Sequence, residues 1–250
     1  RSRGLEMCIR DSDDPVLEPV LLARFPAPMR KDFSDEIRGH PLRREMIATS
    51  LSNRIVNRLG MVHPFELAEE EGVGLAEVAA AFVVAERLFG LEPLWRELDE
   101  AALPETVRLV LFDRLAAAVG NLMSDVLRTA SGKVAAGAMI GALAEGVTAL
   151  VAGREELLTE EPRARSKALR QDFVALGAAE PLAARVANLF DFDGAVGLAQ
   201  SALEAKIDAK LLTHAFTDIG TRLGLDWAQG TAAHMLSLIH ISEPTRPRLI

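Results

Sequence analysis

Glycine and proline recur along this chain at the ends of stretches whose apolar residues return every three to four positions, and that punctuation decides most of what it can fold into. Pro26 and Pro28 mark a turn after Leu21 and Leu22, and a short helix is expected over residues 29–38, stopping at Gly39. Pro41 suits the first position of the next helix, where its missing N–H costs nothing. That helix should run to Leu59 with the stripe Leu42, Met46, Leu51, Ile55, Leu59, and Gly60 should end it in a left-handed cap. Pro64 opens a short helix that closes at Gly72. A longer one follows over residues 75–89, with Val78, Phe82, Ala85 and Phe89 on one face and Gly90 behind it. Residues 91–98 make another turn or two around Trp95. Pro104 starts a long amphipathic helix reaching about Arg128, with Leu111, Leu115, Leu122 and Val126 inward, and Ser131 and Gly132 break it. Helices are then expected over about 134–152, 161–176, 180–190 and 205–223. No run of four or more β-formers alternates with polar residues, so the sequence predicts an all-α, irregular multi-helix bundle.

Composition agrees. Of 250 residues 49% are hydrophobic, mostly Ala and Leu, while aromatics reach only 5% and Tyr is absent, a balance that favours helix over sheet. The net charge of -8 is spread over interleaved acids and bases, which argues against a nucleic-acid surface. Residues 134–152 are the most apolar stretch, but they are mainly Ala and Gly, contain Glu145 and lie between Lys133 and Arg154. A buried helix suits them better than a membrane span. The spacing of Gly137 and Gly141 permits close helix approach there.

Residues 1–12 and 236–250 resemble translated sequencing adapter rather than protein and are set aside from fold reasoning. The one cysteine, Cys8, falls in the first of these, so no disulfide, thiolate or cysteine-based metal site is expected in the remainder. The chain therefore reads as a piece of a longer protein. Residues 13–132 are expected to form one helical subdomain and 133–235 a second. Residues 77–95 resemble residues 210–227, pairing Phe82 with Phe216 and Gly90 with Gly224, each copy being a helix, a glycine cap, a Leu and then a Trp. Either these are two related subdomains, or amphipathic helices with glycine caps simply look alike.

The motifs that carry chemistry are missing or incomplete. His40, His63, His214 and His234 are scattered, no HExxH occurs, and Asp191 with Asp193 makes only a lone DFD before a glycine that suits a turn. The Gly72–Gly74 pair lacks the third glycine of a dinucleotide fingerprint and follows a helix, not a strand. Lys133 lacks the flanking residues of a phosphate loop. Residues 65–82 have the cadence of a helix-turn-helix, but Glu69, Glu70, Glu71 and Glu77 would repel phosphates. No catalytic, cofactor-binding or metal-binding residue is expected.

Residues 40–60 are the most distinctive. Asn53 and Asn57 lie one helical turn apart, as do Arg54 and Arg58, while Arg43 and Arg44 sit in the first turn, where positive charge opposes the helix dipole. Asn is a poor mid-helix residue, and two on one face need a reason. Either Arg43, Arg44, Asn53, Asn57 and Arg58 form a polar face that docks a neighbouring domain, or this is a solvated face beside an apolar stripe.

The stretch FPAPMRKDFSDEIRGHPLRREMIATSLSNRIVNRLG, residues 25–60, closely resembles the segment after the catalytic domain of bacterial large-type NAD-specific glutamate dehydrogenases. The resemblance continues through residues 72–101, returns at 146–158 and at 223–227, and thins over 104–133. It implies a parent enzyme that oxidises L-glutamate to 2-oxoglutarate and ammonia with NAD as hydride acceptor. The family's catalytic Lys and Asp and its NAD-binding glycines precede this segment and match no position in it. It further implies a helical C-terminal domain that contacts the catalytic domain of the same chain, in a cytoplasmic homo-oligomer that engages neither nucleic acid nor membrane. The competing expectation is a stand-alone helical interaction module with no enzymatic activity.

Overall fold

The computed structural model describes residues 14–131 and 133–222, with side chains up to residue 215, and the adapter-like ends, Cys8, Gly132, Gly224 and Trp227 lie outside that range. Fourteen α-helices and two 3-10 turns account for the described residues, and no strand is present among them. After a 3-10 turn at Pro15–Leu17 come α1 (Glu18–Leu22), α2 (Ala27–Asp32), α3 (Ser34–Arg38), α4 (Arg43–Leu59), α5 (His63–Glu70), α6 (Leu75–Leu88) and α7 (Leu91–Glu100). The second half holds α8 (Glu105–Thr129), α9 (Ala136–Ala152), α10 (Arg154–Leu157), α11 (Glu160–Ala175) and α12 (Glu180–Asn188). A 3-10 turn (Leu189–Phe192), α13 (Ala195–Ala205) and α14 (Ala209–Arg222) complete it.

The helix α6 is the centre. From Val78 to Leu88 only Ala80 and Arg87 are not buried. It packs against α8 on one side and α9 on another, and α8 and α9 both meet α13. One hydrophobic core runs through all of them, from Leu21 and Ile47 to Val196 and Ala199, so helices from residues 13–132 and 133–235 share it. The inward positions expected of α8, Leu111, Leu115, Leu122 and Val126, are all fully buried. Trp95 is buried in α7 with its ring 5.5 Å from that of Phe112. A helix buried on nearly every side cannot enter a DNA groove, which removes the helix-turn-helix reading of α5 and α6.

Several expectations need correction. The helix expected over 29–38 is two helices, because Phe33 leaves the helical region (φ −128, ψ 33), and α2 begins earlier, at Ala27, with Pro28 in its first turn. The helix α4 starts at Arg43 rather than Pro41, since the N–H of Leu42 donates to His40 Nδ1 (3.1 Å) and ties residues 40–42 into a turn. Leu42 is therefore outside the buried stripe and exposed, and Ile47 fills the place assigned to it. Gly60 has positive φ as expected, but with ψ 176 it is extended, while Gly90 (φ 59, ψ 44) is the true left-handed residue between α6 and α7.

Helix α13 was not expected at all. Lys206 ends it in the left-handed region (φ 56), which delays α14 to Ala209 instead of 205. Of the Gly137/Gly141 pair only Gly137 is crowded, by the Asp14 carboxylate, which a Cβ there would meet at 2.6 Å. A Cβ at Gly141 would meet nothing, whereas one at Gly146 would lie 3.0 Å from the Ala199 Cβ on α13.

Carboxylates from distant elements close the starts of the inner helices. Asp14 accepts from the N–H groups of Val16 (2.9 Å) and Gly137 (2.8 Å), and Glu77 accepts from Val134 N–H (2.7 Å), so the approach to α9 is held from two sides. Asp125, buried within α8, accepts from Val196 N–H (2.8 Å) and Gly197 N–H (3.2 Å) at the start of α13. Glu77, read in the sequence as a surface charge facing a hypothetical phosphate, is instead part of this internal capping.

Candidate docking face

The helix α4 lies over the core on one side, burying Ile47, Ser50, Leu51, Ile55 and Leu59. Ser50 and Ser52 return their hydroxyls to the carbonyls of Met46 and Ala48 (2.8 and 2.7 Å), so neither asks for an outside partner. Asn53 and Asn57 stand on the outer side and are exposed, as is Arg44, while Arg43 is half-buried. Neither Arg43 nor Arg44 is without a partner.

Arg58 is turned to the interior edge. Its guanidinium makes a two-pronged contact with Asp99 at 3.0 and 2.7 Å and lies over the rings of Trp95 (5.1 Å) and Phe112 (5.6 Å). The five residues singled out in the sequence are thus divided. The two asparagines share an outward face, whereas Arg58 clamps α4 to α7 and α8.

Arg54, one helical turn before Arg58, bonds Glu86 at 2.7 Å across to α6. Burial pushes the Glu86 carboxyl above its usual range, against the pull of Arg54. This pair lines a cleft of about 310 Å³ together with Val16, Val20, Val83, Arg87 and Pro93. A second ion pair is more deeply buried. Arg154 meets Asp191 at 2.5 Å with both side chains at most 10% exposed, and it also donates to Ser166 Oγ (2.9 Å). Burial raises Asp191 as well. Its neighbour Gly194 is left-handed (φ 81, ψ 1), so DFD leads into a turn.

Beyond the asparagines, at the corner between α4 and α5, the surface changes character. Val56, Met61, Val62 and Phe65 are 38%, 71%, 63% and 54% exposed. A shallow concavity opens beside them between Val56, Met61, Phe65, Leu75 and Val78. The sequence reading passed over this corner. Its signal was present: between the Gly60 stop and Pro64, where a turn is ordinarily polar, the chain reads Met61-Val62-His63.

Among the described residues no three His, Cys, Asp or Glu side chains stand together as metal ligands would. No described helix is long and apolar enough to cross a membrane. The Gly72–Gly74 turn joins helix α5 to helix α6 with no strand before it, so its geometry does not fit a dinucleotide.

The described residues form an all-α domain whose helices are tied together by ion pairs. The family model for the C-terminal region of glutamate dehydrogenase matches residues 9–240, and the chain belongs to that family. The NAD-specific glutamate dehydrogenase of Mycobacterium tuberculosis (strain ATCC 25618 / H37Rv) is 32% identical over 180 residues, covering 70% of this chain and 11% of the relative. Those of Halomonas elongata and Pseudomonas aeruginosa are each 27% identical over 217 residues, covering 86% of this chain and 13% of each relative. The chain thus spans only about an eighth of the length of these relatives.

Proposed function

We propose that this chain is the non-catalytic C-terminal helical region of an NAD-dependent glutamate dehydrogenase, where it braces the catalytic domain or the subunit contacts. In the parent reaction L-glutamate, water and NAD give 2-oxoglutarate, ammonia and NADH. NAD and the catalytic residues belong to the part of the polypeptide outside this chain. The observation that carries this reading is the family match over residues 9–240, joined to three relatives named for that activity. The parent would be a cytoplasmic homo-oligomer, and the nearest partner of this region is the catalytic domain of its own chain.

Within the region, Asn53 and Asn57 offer hydrogen-bonding groups to that neighbour, Arg43 and Arg44 at the start of α4 border them, and Arg58 holds the helix that presents them. Replacing Arg43, Asn53 and Asn57 together in the whole enzyme is expected to lower thermal stability or disturb assembly, with activity lost as a consequence. Unchanged activity, stability and assembly would remove the bracing role. Reading the native DNA upstream of the codon for Asp13 tests the membership in a larger enzyme directly. A continuous frame carrying a strand, glycine turn and helix supports it, and a stop codon with a start signal close by would leave a free-standing interaction module.

A further inference from the structure

We propose that the α4–α5 corner is the seat of a helix from the catalytic part of the same polypeptide, which lays its apolar face on Val56, Met61, Val62 and Phe65. This rests on the proposed function above. The corner differs from the rest of α4. Scattered exposed apolar side chains are ordinary on any surface, but here four meet around one turn, with Met61 71% and Val62 63% exposed. The concavity beside them has Leu75 and Val78 as its far wall and a single hydroxyl, that of Ser52, which already donates to the Ala48 carbonyl (2.7 Å). Nothing in it asks for a polar ligand, and its apolar lining suits an apolar side chain from an opposing helix.

Its border also resembles that of a protein interface. Asn53 and Asn57 supply uncharged donors and acceptors on one side. His63 and Glu66, 4.0 Å apart, stand on the other.

Size selects the occupant. A stable contact between separate copies needs about 800 Å² from each partner. Four side chains and their rim offer on the order of a few hundred Å². A contact that small holds when the two surfaces are joined covalently, because tethering raises their effective concentration. The relatives provide such a tether, since 87% or more of each lies beyond the matched part (100 − 13 = 87 and 100 − 11 = 89).

Hydrogen exchange tests this on the full-length dehydrogenase and on the 250-residue chain in parallel. Peptides covering residues 55–66 are expected to exchange at least tenfold more slowly in the full-length enzyme. Met61→Asp with Phe65→Asp should abolish that protection and lower the inactivation temperature of the full-length enzyme, while leaving the melting of the shorter chain unchanged. Equal exchange of residues 55–66 in both proteins, with protection gained on another surface, overturns this seat but leaves the accessory-domain reading intact. Protection gained nowhere overturns both. Protection that appears in the shorter chain alone and rises with its concentration makes the occupant a second copy and overturns the assignment to the catalytic part.

Discussion

Asp125 is buried within α8, and it holds the first N–H groups of α13. Two effects oppose each other there. Burial disfavours the charged carboxylate, while the N–H donors of Val196 and Gly197 and the nearby Arg128 favour it, and the Asp193 carboxylate works against it. Burial wins, and the group is pushed up from 3.8 to about 7. The native state therefore binds a proton that the unfolded chain releases near pH 4. The resulting stabilisation is complete below the unfolded value, declines as pH rises toward 7, and is gone above it. Asp125→Asn keeps an oxygen for Val196 and cannot ionise. Urea unfolding across pH 4 to 7 should show the variant gaining on the parent by on the order of 3 kcal/mol. A gap that does not change with pH would rule this out. Gly120 gives a second residue-scale test. A Cβ there would lie 2.3 Å from His63 Nε2, a ring atom sealed from solvent against α8. Gly120→Ala should cost about 1–3 kcal/mol despite the better helix former, and His63→Ala in the same protein should recover most of it. Additive losses in a thermal-melt cycle would show that the two residues do not compete for space.

At the level of the helices, legibility followed punctuation and amphipathic rhythm. The helices α6 and α8 were readable because Gly90 and Pro104 bound them and because Val78, Phe82, Leu111, Leu115 and Leu122 recur at helical spacing. Helix α13 was not, because Ala195, Val196, Leu198, Ala199 and Ala202 make a small-residue face with no polar contrast, and it begins at a left-handed glycine without a side-chain cap of its own. Its cap is Asp125, 71 residues away, a distance no local pattern spans. The candidate face was half legible for the same reason. Asn53 and Asn57 stand out as odd residues in a helix, whereas the partner of Arg58 is 41 residues on. That clamp is testable at this scale. Arg58→Lys keeps the charge but loses the paired contact with Asp99 and the flat stacking on Trp95 and Phe112. It should cost about 1–2 kcal/mol, or a few degrees in melting temperature for a chain of this length. Trp95 fluorescence should shift with it, in a Trp227→Phe background. A Lys variant that melts with the parent would mean the guanidinium geometry contributes nothing.

For the whole molecule, what matters is that α6 touches both halves of the sequence. It packs on α8 from the first half and α9 from the second, and α13 closes the group by meeting α8 and α9. Gly146 and Ala199 come close enough that a Cβ on the glycine would sit at 3.0 Å, so α9 and α13 have no room for an intervening layer. The polar ties cross the same boundary, from Asp14 to Gly137, Glu77 to Val134 and Asp125 to Val196. Melting either half alone would expose Phe82, Val147 and Val196 and strand these carboxylates without their N–H partners. Intermediates with one half folded are therefore costly. The expected outcome is one transition, with far-UV circular dichroism and Trp95 fluorescence (again with Trp227→Phe) giving the same urea midpoint and slope. Phe82→Ala should move both curves together, by about 3–5 kcal/mol. If the fluorescence curve shifted while a part of the helical signal melted at its old midpoint, residues 13–132 and 133–235 would be independent units. The shared core would then be a contact between two domains rather than the centre of one.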